Sequence, residues 1–110
     1  MKRVIIESPY ASDVDANVAY ARACLKDSLA RGEAPLASHL LYTQPGVLDD
    51  DKAAERALGI DAGHAWLAAA DRVVVYHDHG VSAGMNEGIK RAFAAGVLVE
   101  FRKLEAAHNG

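Results

Sequence analysis

The sequence contains only one cysteine, Cys24, so an intrachain disulfide and a cysteine-based zinc site are excluded. It also lacks an apolar run long enough to span a bilayer, and Met1-Lys2-Arg3 leads directly into a short apolar segment without the pattern of a signal peptide. Basic residues are not in excess, because the formal net charge is −3, which argues against a nucleic-acid or anionic-membrane surface. We therefore expect a cytoplasmic protein with neither nucleic acid nor membrane among its partners.

The chain has 110 residues, of which 51% are hydrophobic, and this is enough for one globular core but not for two. We predict a single α/β domain over residues 1–104 and a polar tail over residues 105–110. Short apolar runs predict strands at residues 3–7, 34–38, 72–76 and 97–101.

Amphipathic helical patterns separate these runs, so the elements follow the order β-α-β-α-β-α-β. This order predicts a parallel sheet of four to five strands with helices on both faces, a small three-layer αβα architecture of Rossmann or flavodoxin type. Residues 52–70 form either one helix or two, since Gly59 and Gly63 weaken a helix while permitting close backbone packing. Residues 39–48 are predicted to be a loop.

Polar residues follow three of the predicted strands. Ser8 and Tyr10 follow the first strand, His39 follows the second, and residues 77–82 follow the third. Right-handed crossovers place the carboxyl ends of parallel strands at one edge of the sheet, where ligands of such sheets bind. We therefore expect these residues to converge on one ligand site.

The turn between the third strand and the last helix is rich in glycine and contains a serine. Gly80, Ser82 and Gly84 allow the backbone to approach an anion, and the first turn of the helix directs free N–H groups at it. The alternative interpretation is that Ser82 only caps the helix. The same Gly-x-Ser-x-Gly string occurs in serine hydrolases, but this chain is too short for that fold.

Five histidines raise the question of a metal site. His77-Asp78-His79 offers two imidazoles and a carboxylate in one extended segment, but such a row rarely chelates an ion alone. We predict neither a metal nor a cofactor. His39 is a better candidate for hydrogen bonding to a ligand, since neutral and charged imidazole coexist near pH 7.

The order of three short motifs resembles the nucleoside 2-deoxyribosyltransferase superfamily, which includes the 2'-deoxynucleoside 5'-monophosphate N-glycosidases. Ser8-Pro9-Tyr10 is similar to the turn after the family's first strand, and Ala70-Asp71 is similar to the end of its middle helix. Ser82-Ala83-Gly84 is similar to its Ser-x-Gly turn. The resemblance implies a divergent member that binds a (deoxy)nucleotide and hydrolyses or transfers its N-glycosidic bond.

The same resemblance implies roles for individual residues. Ser82, with the backbone of Gly80 and Gly84, would bind a 5'-phosphate, Tyr10 would stack on the base, and Asp78 would bind sugar hydroxyls. Members of this family assemble so that neighbouring subunits complete each pocket, so we also expect a homodimer or a larger homo-oligomer. The segment Leu40-Leu41-Tyr42 and the side chain of Trp66 are candidates for that contact.

A glutamate on the last helix carries the chemistry in the resembled family, and Glu87 is the candidate here. Its carboxylate would attack C1' of the deoxyribose or stabilise the oxocarbenium-like species that forms as the base leaves. However, the spacing from Ser82-Ala83-Gly84 places the acid at position 88, which is Gly88. Glu87 falls one residue short, and one residue rotates a side chain by about 100° around a helix axis.

Three hypotheses follow from these observations. The first is an enzyme that hydrolyses or transfers an N-glycosidic bond, with Glu87 as nucleophile. The second is a non-catalytic module of the same fold that binds a nucleotide or another phosphorylated ligand. The third, a structural protein without a small ligand, is disfavoured by the glycines, serine and histidines that are expected at one edge of the sheet.

Overall fold

The computed structural model describes residues 1–104, and the predicted polar tail at 105–110 lies outside the described residues. Four strands form one parallel sheet: β1 (Arg3–Glu7), β2 (Ala34–Leu36), β3 (Arg72–Tyr76) and β4 (Leu98–Arg102). Their order across the sheet is β2-β1-β3-β4, so β2 lies on one side of β1 and β3 on the other. The predicted α/β fold with a parallel sheet is confirmed.

Four helices connect the strands: α1 (Val14–Ala30), α2 (Ser38–Leu41), α3 (Ala53–Ala65) and α4 (Ala83–Ala94). A 3₁₀ turn, Trp66–Ala69, follows α3 directly. The carboxylate of Asp13 caps the start of α1 by accepting a hydrogen bond of 3.3 Å from the amide of Ala16. None of the helices within residues 1–104 combines the length and the apolar character that crossing a bilayer requires.

Side chains of the two central strands alternate between the faces of the sheet and form two cores. Against α1 lie buried residues of β1, β3 and the helix itself: Val4, Ile6, Val74, Tyr76, Tyr20 and Cys24. Against α4 and the 3₁₀ turn lies the second set: Ile5, Val73, Val75, Leu67, Met85, Ile89 and Ala92. Each fully buried large apolar side chain stabilises the fold by roughly 1.5–3 kcal/mol. Because Ile5 belongs to the second core, the odd-numbered residues of β1 face α4.

The structure differs from the sequence predictions in the segment after β2. This strand ends at Leu36, and Ser38–Leu41 form a one-turn helix where a loop was predicted from residue 39. One turn is too short to produce a periodic apolar pattern, so the sequence carried no signal for it.

Close packing of α2 against α3 depends on a glycine. The helix α3 is continuous through Gly59 and Gly63, which resolves the choice between one helix and two. A Cβ at position 63 would lie only 2.5 Å from Ser38 Oγ. The missing side chain therefore lets α2 approach α3, and these two helices form one wall of a cavity at the carboxyl end of β1.

Candidate functional site

A cavity of about 310 Å³ opens at the carboxyl end of β1, between α2, α3 and the start of α4. This volume lies within the range of small-molecule sites, which begins near 300 Å³. The cavity lies where the strand order reverses, because β1 is followed by β2 on one side and β3 on the other. Open α/β sheets bind ligands at this place. Of the residues predicted to converge after the strands, Ser8, Tyr10, His39 and Ser82 line this cavity, whereas residues 77–81 do not.

Glu7 lies in this cavity at the carboxyl end of β1. It shares a strand face with Ile5, which packs in the core beneath α4, so the carboxyl group is directed towards that helix. Burial raises the pKa of Glu7 from 4.5 to about 8. Among the described residues no hydrogen bond or charge opposes this shift, since desolvation is its only cause. Glu7 is therefore largely protonated at pH 7.

The Glu7 carboxyl group lies directly over Gly88 of α4. A Cβ at position 88 would be 2.6 Å from Glu7 Cδ and 3.0 Å from its Oε1, and real Cβ contacts are rarely that short. Gly88 is buried, and its backbone is helical. The absence of a side chain at position 88 therefore leaves room for the carboxyl group of Glu7.

The turn after β1 places Ser8 and Tyr10 in the cavity beside His39 of α2. The hydroxyl of Ser8 and Nε2 of His39 share a hydrogen bond of 2.7 Å, and the rings of Tyr10 and His39 meet edge to face at 6.4 Å. The side-chain amide of Asn17 holds this turn by donating to the carbonyl oxygens of Tyr10 and Ala11 at 3.0 and 2.9 Å. Three residues predicted to bind ligand are thus brought together.

Burial lowers the pKa of His39 to about 4. The expectation that its neutral and charged forms coexist near pH 7 is therefore wrong, because the imidazole is neutral there. A neutral imidazole has one N–H donor and one acceptor nitrogen. His39 can hydrogen-bond to Ser8 and to a ligand, but it does not supply a positive charge.

The start of α4 forms another wall of the cavity through Ser82 and Gly84. The Ser82 hydroxyl accepts a hydrogen bond of 3.2 Å from the amide of Met85, so Ser82 is the N-cap of the helix, as predicted. In this position the first amides of α4 and the Ser82 side chain border the same space as Glu7.

The remaining predicted site residues occupy different positions. Glu87 lines the cavity, but its side chain is 55% exposed and pairs with Arg91 at 3.4 Å. Asp78 and Gly80 are not among the residues that line the cavity. The Asp78 carboxylate instead accepts hydrogen bonds from the Tyr20 hydroxyl at 2.5 Å and from the amide of Leu104 at 3.0 Å.

Charged residues of the segment before α3 and of α3 itself surround the opening of the cavity. The guanidinium of Arg56 donates to Asp50 at 3.1 Å, and Glu55 lies beside them. Carboxyl groups therefore outnumber cations around the cavity. Among residues 1–104 no three histidine, cysteine, aspartate or glutamate side chains are grouped closely enough to hold a metal ion.

Sequence reasoning missed Glu7. It was counted as the last residue of a buried strand, although a charged residue at the end of a central strand is the signal that could have identified it. The resemblance directed attention to α4 for the acid, whereas the carboxyl group of the cavity whose pKa is raised by burial lies on β1.

Comparisons with known proteins relate the chain to one family and one fold. A family model described as a domain of unknown function (DUF7768) matches residues 2–102. A search among curated proteins finds no match. A solved 2-deoxyribosyltransferase from Bacillus psychrosaccharolyticus is similar over 92% of this chain and 72% of its own, with a TM-score of 0.64 and 16% identity. A 2-desoxiribosyltransferase from Leishmania mexicana is similar over 94% of this chain and 65% of its own, with a TM-score of 0.60 and 17% identity. At these identities the likeness shows a common fold.

Proposed function

The chain belongs to the family described as a domain of unknown function (DUF7768), and we propose that it binds a nucleoside or nucleotide and hydrolyses or transfers its N-glycosidic bond. The observation that supports this proposal is the cavity that lies where the strand order of the sheet reverses. It has the size of a small-molecule site and holds a partly buried carboxyl group beside a hydrogen-bonded serine and histidine. The solved structures of similar fold are 2-deoxyribosyltransferases, which act on ligands of this class.

In the proposed complex the base lies beside Tyr10 and His39, which offer an aromatic face for stacking and a neutral imidazole for hydrogen bonding. The sugar lies over the carboxyl groups of the cavity. A 5'-phosphate, when the ligand has one, lies against Ser82 and the first amides of α4, where the helix dipole favours negative charge. Asp78 would reach the sugar hydroxyls only through a rearrangement of its hydrogen bonds to Tyr20 and Leu104.

The reaction requires a carboxylate that stabilises the positive charge developing at C1' as the base departs. Glu87 at the edge of the cavity is the candidate from the sequence, and Glu7 at its floor is the candidate from the structure. Both remain candidates for this carboxylate.

The experiment is an incubation of the protein with a panel of nucleosides, deoxynucleosides and their 5'-monophosphates, with free base measured by chromatography. The proposal predicts base release from at least one member of the panel, or base exchange when a second base is added. Comparing each nucleoside with its monophosphate shows whether the start of α4 binds a phosphate. If the protein releases no base from any member, the catalytic proposal is wrong.

The second candidate is a module that binds the same ligand without chemistry. It is favoured by the glycine at position 88 and by the ion pair that holds Glu87 towards Arg91. A thermal-shift measurement distinguishes it, because a ligand at about a hundred times its dissociation constant stabilises the folded state by about 2.7 kcal/mol. A shift without base release supports the binding module, and the absence of both contradicts both candidates.

We also propose that the protein is a homo-oligomer. Large apolar side chains are exposed on α3, the 3₁₀ turn, α4 and β4: Leu58, Trp66, Phe93, Leu98 and Phe101. Trp66 is one of the candidates for a subunit contact from the sequence. Its side chain is 45% exposed, which leaves the contact as the proposal. Sedimentation that shows only monomer at micromolar concentration contradicts this.

A further inference from the structure

The cavity contains two carboxyl groups with opposite surroundings. Glu87 is exposed and paired with Arg91, so solvent and a cation already stabilise its charge. Glu7 is partly buried between the end of β1 and α4, and within residues 1–104 no cation or hydrogen-bond donor stabilises its ionised form. A buried carboxyl group without a partner costs stability, and such groups are concentrated at functional sites.

The Glu7 carboxyl group also lies against position 88 of α4. The resemblance, counted from the Ser82-Ala83-Gly84 turn, implies an acid at position 88, and the chain has glycine there. The Glu7 carboxyl group occupies the space into which a side chain at position 88 would extend, since a Cβ there would be 2.6 Å from Glu7 Cδ. One carboxyl group therefore lies at this place in the cavity, but it comes from the strand and not from the helix.

We propose that Glu7 is the catalytic carboxylate of this protein and bonds to the sugar carbon in place of an acid on α4. This inference rests on the proposed function, because it assigns a residue to the N-glycosidic reaction. Gly88 has the complementary role of keeping the space open for that carboxyl group. The role of nucleophile that the sequence predicts for Glu87 is assigned here to Glu7. Glu87 lies at the edge of the cavity.

The proposed step forms one bond and breaks one. Glu7, which is largely protonated at pH 7, first gives its proton to water and takes one back after turnover. An oxygen of the resulting carboxylate bonds to C1' while the bond from C1' to the base nitrogen breaks, and the electron pair of that bond leaves with the base. The base takes a proton from water. A second water molecule, or a second base, then attacks C1' and releases the carboxylate, and its proton replaces the one that the base took. Hydrolysis thus consumes one water molecule in total, and nothing is oxidised or reduced.

The test is the rate of base release from the best substrate of the panel, measured for the wild type, for Glu7→Gln and for Glu87→Gln. Glu7→Gln keeps the size of the side chain and removes the nucleophile, so we expect a loss of about a thousandfold or more. Glu87→Gln tests the competing assignment, and we expect its loss to be much the smaller of the two. Asp61→Asn, an exposed carboxylate of α3 that does not line the cavity, is the matched charge control.

A second pair of variants tests the geometry without removing any charge. In Gly88→Ala the new Cβ forces the Glu7 carboxyl group to retreat by about 1 Å, and a misplacement of that size can cost about a hundredfold in rate. Because the carboxyl group is the end of a flexible side chain, the fold should tolerate the change. Asn86→Ala, at an exposed position of the same helix outside the cavity, is the control that should keep the wild-type rate.

The outcomes separate the inference from the proposed function. If the wild type releases base and Glu7→Gln does so at a rate within tenfold, the inference is overturned and the function stands. If the large loss falls on Glu87→Gln, the carboxylate is Glu87. If the wild type binds a nucleoside but releases no base, Glu7 is not catalytic and the chain is a binding module. If it neither binds nor releases, the proposed function itself fails.

Discussion

Replacing Glu7 by glutamine should stabilise the folded protein at neutral pH. Burial raises the pKa of the Glu7 carboxyl group in the folded state from 4.5 to about 8. The folded state therefore binds this proton more tightly than the unfolded state does. The contribution of Glu7 to the free energy of unfolding should therefore be fully present below its unfolded pKa and should be lost as the pH rises towards its folded pKa. An amide at position 7 does not titrate, so the variant lacks this fall.

The size of the effect follows from the pKa difference. Each pH unit between the unfolded pKa of 4.5 and the folded pKa of about 8 should lower the stability of the wild type relative to the variant by about 1.4 kcal/mol. At pH 7 the accumulated difference is about 3 kcal/mol. This is a large fraction of the 5–15 kcal/mol that is typical of a whole domain, as expected when a site is retained at the expense of stability.

The assay is chemical denaturation of the wild type and Glu7→Gln from about pH 5 to about pH 8, with Asp61→Asn as the control for the loss of an exposed carboxylate. Subtracting the unfolding free energy of the wild type from that of the variant at each pH cancels the contributions of all other titrating groups. We expect the two curves of unfolding free energy to diverge as the pH rises, with the variant the more stable. Parallel curves would refute the reasoning, because they would mean that Glu7 is solvated or paired in the folded protein.

Two further predictions concern His39 and the ion pair between Glu33 and Arg102. Since burial lowers the pKa of His39 to about 4, the pH profile of kcat/KM should show no inflection near 6.5, and an inflection that disappears in His39→Asn would contradict a neutral imidazole. Glu33→Ala removes a partner of the buried Arg102 guanidinium, which Glu33 contacts at 2.9 Å, so the unfolding free energy should fall by about 3 kcal/mol. Arg102 lowers the pKa of Glu33, so the stabilising contribution of this carboxylate is present above its unfolded pKa and is lost as the pH falls through its folded pKa. An unchanged denaturation midpoint for Glu33→Ala at pH 7 would show that the pair contributes little.

The fold could be predicted from the sequence because its two central strands, β1 and β3, are buried on both faces. The run Val73-Val74-Val75 has side chains in both cores, and an apolar run without alternation is the pattern that such a strand leaves. The parallel order then places Ser8, His39 and Ser82 at one edge, and the structure brings all three to one cavity. The helix Ser38–Leu41 could not be predicted, because four residues carry no helical period.

The catalytic assignment was harder to predict because it depends on a contact between two elements. The residues that neighbour Glu7 and Gly88 in the sequence do not predict that a carboxyl group from β1 fills the space above α4. The two residues are far apart in the chain, and each has a plain local interpretation, as a strand end and as a helical glycine. What the sequence does contain is a glycine at the position where the resemblance implies an acid, and this mismatch was the available indication of a carboxyl group elsewhere.

The most direct measurement is a crystal structure of the Glu7→Gln variant with a bound nucleoside or nucleotide that the wild type cleaves. The variant should hold the intact ligand because its nucleophile is absent. We predict that C1' of the sugar lies within about 3.5 Å of the side-chain oxygen at position 7, which is the separation of groups about to react. A sugar carbon positioned over Glu87 instead, or a ligand outside the cavity between β1 and α4, would contradict the account.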